Sequence, residues 1–272
     1  MRGAARNGVK ALAAAADLVR RPPAGLVVLI YHQVDAPQAS AVNLTRTVFR
    51  DQLEYLRAQE RVGPLDEGVA AVRRLGPPLH DPPGVVITFD DGTADFVDSA
   101  LPELVRLQLP VTLYVATRWV EEGRSFWDDG TVLSWAGLRD AMSTGLVTIG
   151  SHTHSHALLD RVGAAEIADE LDRSIGLIED NLNVTPVHFA YPKALLPSPS
   201  ADLAVRARFE SAAIAGTRPN PYRASDPYLL RRSPIQVADG MTWFRRKSAG
   251  GLRLEDDVRG AVNRRRYAGA VR

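Results

Sequence analysis

Short apolar runs of strand length, each followed by a stretch with helical spacing, recur along almost the whole chain. The runs are Leu26 to Tyr31 (LVVLIY), Val85 to Phe89 (VVITF), Val111 to Ala116 (VTLYVA), Val147 to Gly150, Val187 to Tyr191 (VHFAY), Ser211 to Ala215 and a seventh around Ser233 to Val237. Uninterrupted apolar runs this short fit strands buried on both faces. Between them apolar residues recur at helical spacing, as in Phe49, Leu53 and Leu56, or Ile167, Leu171, Ile175 and Ile178. Helices are expected after Thr47 as N-cap, over 66–75, over 94–107 with Pro102 restarting or kinking the helix, from Ser134 to Gly145, over 163–182 and over 200–209. Strands alternating with helices argue for an α/β fold with parallel strands and helical crossovers. Seven strands favour a barrel over an open sheet, although the periodicity serves either. In parallel barrels the site forms at the carboxyl ends of the strands. Those ends deliver His32, Asp90 and Asp91, His152 and His156, and Tyr191.

Composition narrows the chemistry. The 272 residues contain no cysteine, which excludes disulfides, thiolate metal sites and cysteine nucleophiles. With 33 basic and 32 acidic residues the net charge is +1, so no overall field points to nucleic acid. No run approaches the roughly 20 apolar residues of a membrane span. The N-terminal MRGAARNGVKALAAAADLVRR is alanine-rich, is broken by Asp17 and leads into Arg20 and Arg21, which fits an amphipathic helix better than a cleavable leader. A cytoplasmic protein is expected, with at most weak membrane-surface contact through this helix. The run Arg264 to Arg266 reads as a solvated face. The expected organisation is an N-terminal helical extension (1–24), one barrel domain (25–240) and a basic, helical C-terminal tail (241–272).

Two stretches carry the chemistry. Val85 to Gly92 (VVITFDDG) brings paired carboxylates to a glycine turn, and Ser151 to His156 (SHTHSH) brings histidines to another strand exit. One aspartate at a strand exit is explained as a helix cap; two are not. With N and O ligands alone, Asp91, His152 and His156 form a two-histidine, one-carboxylate set that suits zinc with an open position. The same set suits iron(II) in oxygenases. Asp90 favours hydrolysis: a carboxylate beside the metal but not needed as ligand can take a proton from water that the metal has acidified.

TFDDG (Thr88 to Gly92) and the H-T-x-x-H of His152 to His156 resemble the first two motifs of the polysaccharide deacetylases, the NodB-homology or carbohydrate esterase 4 family. VLIYHQV (Val28 to Val34), ALPELVRLQLPVTLYV (Ala100 to Val115), FWDD (Phe126 to Asp129) and FAYP (Phe189 to Pro192) extend the likeness to a FAYP-type member. The resemblance implies a single-domain, distorted (β/α)7 NodB-like barrel, a divalent metal, usually zinc, and removal of acetyl groups from an N- or O-acetylated sugar. It implies Asp90 as catalytic base and Asp91, His152 and His156 as metal ligands. In the third motif the usual arginine and tyrosine are replaced by Ala190 and Lys193, whose backbone N–H still suits an oxyanion. Arg232 in LLRRSPI takes over the arginine's part in orienting the base; the alternative is a surface salt bridge. The late histidine that serves as general acid is absent, since none follows His188. His32 is the substitute, with packing under the barrel mouth as its alternative. Trp127 and Tyr191 suit sugar stacking, or equally loop anchoring and core packing. His80, His154 and His188 receive no role.

The altered third motif and missing histidine motivate a rival, a noncatalytic sugar-binding relative that binds metal and glycan without releasing acetate. A second rival is an amidohydrolase acting on a small non-sugar amide. An iron oxygenase is weaker, because it gives Asp90 nothing to do.

Overall fold

The computed structural model describes residues 2–19, 23–73, 82–124, 131–255 and 258. Seven strands, Gly25–Tyr31, Val85–Phe89, Val111–Val115, Val147–Ser151, His188–Ala190, Ser211–Ala215 and Leu230–Pro234, form a parallel sheet in chain order. The sheet closes where the first strand pairs with the last, Val28 opposite Arg232. The fold is therefore a closed (β/α)7 barrel. Six strands lie where the apolar runs put them. The seventh begins three residues earlier than expected, because the run that looks most apolar, Ile235 to Val237, leaves the barrel as a loop and a short 3-10 turn at Val237–Asp239.

Side chains on the strands alternate between the two faces. Leu26, Val28, Val86, Tyr114, Ala190 and Leu230 meet in the interior, and Leu65, Val69 and Val72 of the helix Leu65–Val72 plug the floor. Outward residues such as Leu29, Ile87 and Leu113 pack under the surrounding helices. The helix Arg46–Ala58 starts slightly earlier than expected, capped by the Thr45 hydroxyl accepting from Val48 N–H. After the Asp90–Gly92 turn the chain forms a π-helical turn, Phe96–Ala100, then the helix Leu101–Leu107 with Pro102 in its first turn, where its missing N–H costs nothing. Such π segments are often found beside functional sites.

The N-terminal helix Arg2–Val19 packs on the helix Gly240–Ser248. Asp239 pairs with both Lys10 and Lys247 in a buried group, and Asp17 accepts from Leu252 N–H. No helix among the described residues is long and apolar enough to cross a membrane. Arg264 to Arg266, His80 and Trp127 lie outside the described residues.

Candidate active site

The strand carrying Thr88 continues its alternation through Asp90, so that this carboxylate is aimed into the mouth of the barrel. The backbone then turns through left-handed conformations at Asp91 (φ 80°) and Gly92 (φ 83°). A non-glycine residue at positive φ costs on the order of 1–3 kcal/mol and persists where surrounding structure imposes it. Thr153, His156, Lys193 and Ala194 share that conformation, all in loops at the carboxyl ends of strands. Left-handed residues such as Gln108 and Asn183 elsewhere are helix C-caps, whereas those at the mouth present side chains in geometries that regular elements do not supply.

Asp91 Oδ1 lies 3.7 Å from His152 Nε2 and 3.6 Å from His156 Nε2. One donor atom from each of the three residues falls within 4.8 Å of the others. These separations match ligands spaced around a small ion at roughly 2.0–2.2 Å. His152 Nδ1 is 2.7 Å from the Ala190 carbonyl oxygen. That contact makes Nδ1 the donor and leaves the Nε2 lone pair facing Asp91, the outer-shell arrangement that fixes a ligand's tautomer. Burial lowers the affinity of both histidines for protons. His156, next to His152 and Lys193, is held down at about 2. Both are therefore neutral at pH 7, as a ligand must be. Trp119 stacks on the His156 ring at 5.1 Å. Asp91, His152 and His156 are thus able to hold a divalent ion, with no thiolate to favour a soft one.

Asp90 sits beside this group, its Oδ2 4.0 Å from His152 Nε2. Arg232 grips it with both terminal nitrogens, Nη1 to Oδ1 at 2.6 Å and Nη2 to Oδ2 at 2.9 Å, and Nη1 also donates to Thr88 Oγ1 at 3.1 Å. Burial alone would raise the Asp90 carboxyl; Arg232 and His152 outweigh it and bring it to about 2. Arg232 is 0% exposed, so it is not a surface salt bridge. His32 follows the first strand, half-buried. Its Nδ1 is buried without a hydrogen-bond partner.

The other sequence candidates are distributed differently. Lys193 is exposed on a 3-10 turn closed by Ala194 N–H donating to the Tyr191 carbonyl. Tyr191, expected as a groove residue, shares the outward face of its strand with Phe189. It packs edge-on against that ring at 5.0 Å in the cluster under the helices Ala164–Leu182 and Pro199–Arg206. Parity explains the difference: Ala190, not Tyr191, points inward. His154 is turned away from the metal ligands and pairs through Nδ1 with Thr117 Oγ1. His188 lies at the opposite end of the barrel, between Ser211 Oγ and Asp66 Oδ1.

Sequence reasoning missed three supports. Thr88 steadies Arg232, the Ala190 carbonyl orients His152, and Glu170 anchors the histidine loop by accepting from Ser155 N–H and its hydroxyl. Only Glu170 left a signal, as a carboxylate on the apolar face that carries Ile167, Leu171 and Ile178.

Comparison with known proteins agrees with this geometry. A sequence model of the polysaccharide deacetylases matches residues 80–212. The poly-beta-1,6-N-acetyl-D-glucosamine N-deacetylase of Escherichia coli K12 is 28% identical over 149 residues, 50% of this chain and 22% of that protein, so the chain spans about a fifth of the curated relative. Among solved structures, IcaB from Ammonifex degensii superposes with a TM-score of 0.70 at 24% identity, covering 82% of this chain and 98% of that one. The Streptococcus pyogenes deacetylase PplD, in complex with acetate, gives 0.66 at 21%, covering 79% and 93%. These likenesses establish a shared barrel. The family match spans the TFDDG and H-T-x-x-H residues gathered at its mouth, so in that stretch the chain is similar to the polysaccharide deacetylases.

Proposed function

We propose that this chain is a metal-dependent deacetylase that hydrolyses the acetamide of an N-acetylated hexosamine in a glycan. The observation that carries the reading is a buried Asp90, held ionised by Arg232, directly beside the Asp91, His152 and His156 group. The substrate class is taken from the curated N-deacetylase that the chain resembles. A divalent metal held by Asp91, His152 and His156, for which the donor set favours zinc, would supply Lewis acidity toward the acetyl carbonyl and toward the attacking water.

The chain's own residues do the rest. Asp90, ionised at neutral pH, accepts the proton of the attacking water. Arg232 keeps both carboxylate oxygens in place without neutralising them as acceptors. The Lys193 backbone N–H, on a left-handed turn, donates to the oxyanion. His32, through the imidazole at the mouth, gives a proton to the departing sugar nitrogen as the C–N bond breaks; the products are acetate and a free amine. Trp127 remains a candidate sugar-stacking residue, whereas Tyr191 supports the wall from behind.

The test is acetate release by zinc-loaded protein from N- and O-acetylated sugars and oligosaccharides. Release from N-acetylated hexosamine oligomers is expected. Stoichiometric zinc binding with glycan binding and no acetate from any member of the panel would instead establish the noncatalytic reading.

A further inference from the structure

We propose that Tyr114 is a positioning residue for the proton acceptor: its ring face, seated against Gly150, fixes the Arg232 guanidinium that holds Asp90. The inference rests on the reading of Asp90 as the catalytic base.

The guanidinium is a flat group, and its hydrogen bonds restrain it within its own plane. Nη1 and Nη2 reach the two Asp90 oxygens, Nη1 also reaches Thr88, and Nε makes no hydrogen bond at all. Tilting out of that plane is resisted by a different contact. The Tyr114 ring lies against Arg232 with Cζ 4.9 Å from the ring centroid, inside the barrel and away from water. Cation–π attraction is strongest in such a desolvated setting.

Two further observations indicate that the ring face is what this position contributes. First, the Tyr114 hydroxyl is buried and has no hydrogen-bond partner. Among the described residues no other group hydrogen-bonds that oxygen, so the hydroxyl adds no polar contact to the fold. Second, the neighbouring strand is cut away to admit the ring. A Cβ at Gly150 would lie 2.5 Å and 2.7 Å from Tyr114 Cδ1 and Cε1, and 2.9 Å from the His188 carbonyl oxygen, which is backbone and cannot swing aside. Glycine inside a strand weakens it and marks such a close approach. The series Gly150, Tyr114, Arg232, Asp90 therefore runs from a missing side chain in one strand to the reactive carboxylate in another. Its effect is on aim: a displacement of about 1 Å in a reacting group can cost about a hundredfold in rate.

The experiment compares zinc-loaded wild type with Tyr114→Phe, Tyr114→Leu and Tyr114→Met, measuring kcat and KM for acetate release from an N-acetylglucosamine oligomer. Zinc content is measured alongside, and a crystal structure of Tyr114→Leu is determined. Phenylalanine should keep kcat within about twofold, because it keeps the face. Leucine and methionine should lose about tenfold to a hundredfold in kcat, with KM and zinc content unchanged and the Arg232–Asp90 pair displaced in the crystal. Methionine, flexible and close in length, serves if leucine does not fold. The proposal is overturned if the leucine or methionine variant keeps wild-type kcat, if phenylalanine falls as far as leucine, or if the bidentate pair survives unchanged in the leucine crystal. A wild type that releases no acetate would refute the deacetylase reading instead, and the crystal structure would still decide what Tyr114 does to Arg232.

Discussion

At the floor of the barrel His188 has both ring nitrogens in hydrogen bonds, to Ser211 Oγ and Asp66 Oδ1 at 2.9 Å each. At the mouth His32 keeps a buried Nδ1 with no partner, and His152 has one nitrogen on the Ala190 carbonyl and the other turned toward Asp91. Both ends use histidine, aspartate and hydroxyl groups. At the floor they close on one another and tie the plugging helix Leu65–Val72 to two strands. At the mouth they are left with unfilled valences, strained backbone and a carboxyl held at about 2. Buried polar groups are normally satisfied, so the unpartnered His32 Nδ1 beside Asp90 and the metal-ligand set indicates a task other than holding the fold.

The sharpest way to break this contrast is Asp90→Asn. Loss of a general base costs about 10²–10⁴-fold, so acetate release should fall by that much while zinc still binds; undiminished turnover would remove Asp90 from the mechanism. Chelation of the metal should likewise abolish release, restored by added zinc, and should lower the melting temperature by mass action. Arg232→Met should act on stability as well, because it strands a buried charge, a loss of about 3–5 kcal/mol in denaturant unfolding. The pH dependence has a definite sign. The folded-state carboxyl of Asp90 lies below its ordinary value, so its contribution is complete above about pH 4 and disappears as pH falls through about 2. In Arg232→Met that part of the acid transition should vanish.

His32→Ala should reduce kcat by about a hundredfold, with zinc content and KM unchanged. If turnover is unaffected, proton delivery to the leaving nitrogen comes from elsewhere. The smallest effect belongs to the floor. Asp66→Asn should cost about 1 kcal/mol in stability, discounted for the exposure of Asp66, and leave kcat alone.

Much of the mouth was legible in the chain because its signals are local. TFDDG and SHTHSH each lie within one strand exit, and a short apolar run sets the parity of the residues just beyond its end. The barrel was legible because strand and helix periods differ. The illegible part depends on contacts between residues far apart in the chain. Arg232 is reached only through the family resemblance, as one of two equal readings, because its hold on Asp90 spans 142 positions and whether it faces solvent or the barrel interior turns on where its strand starts. The expected start at Ser233 would have left Arg232 outside the strand. Tyr191 was misplaced for a related reason: aromatic character near a motif says nothing about parity, and its neighbour Ala190 is the inward residue.

The most direct test places Asp90→Asn and Asp66→Asn in one experiment, with acetate release and melting temperature measured on the same zinc-loaded samples. A reactive mouth above a structural floor predicts that Asp90→Asn loses at least about a hundredfold in turnover while remaining folded, and that Asp66→Asn melts slightly earlier with turnover intact. Full turnover in Asp90→Asn, or loss of turnover in a folded Asp66→Asn, would contradict that division of labour.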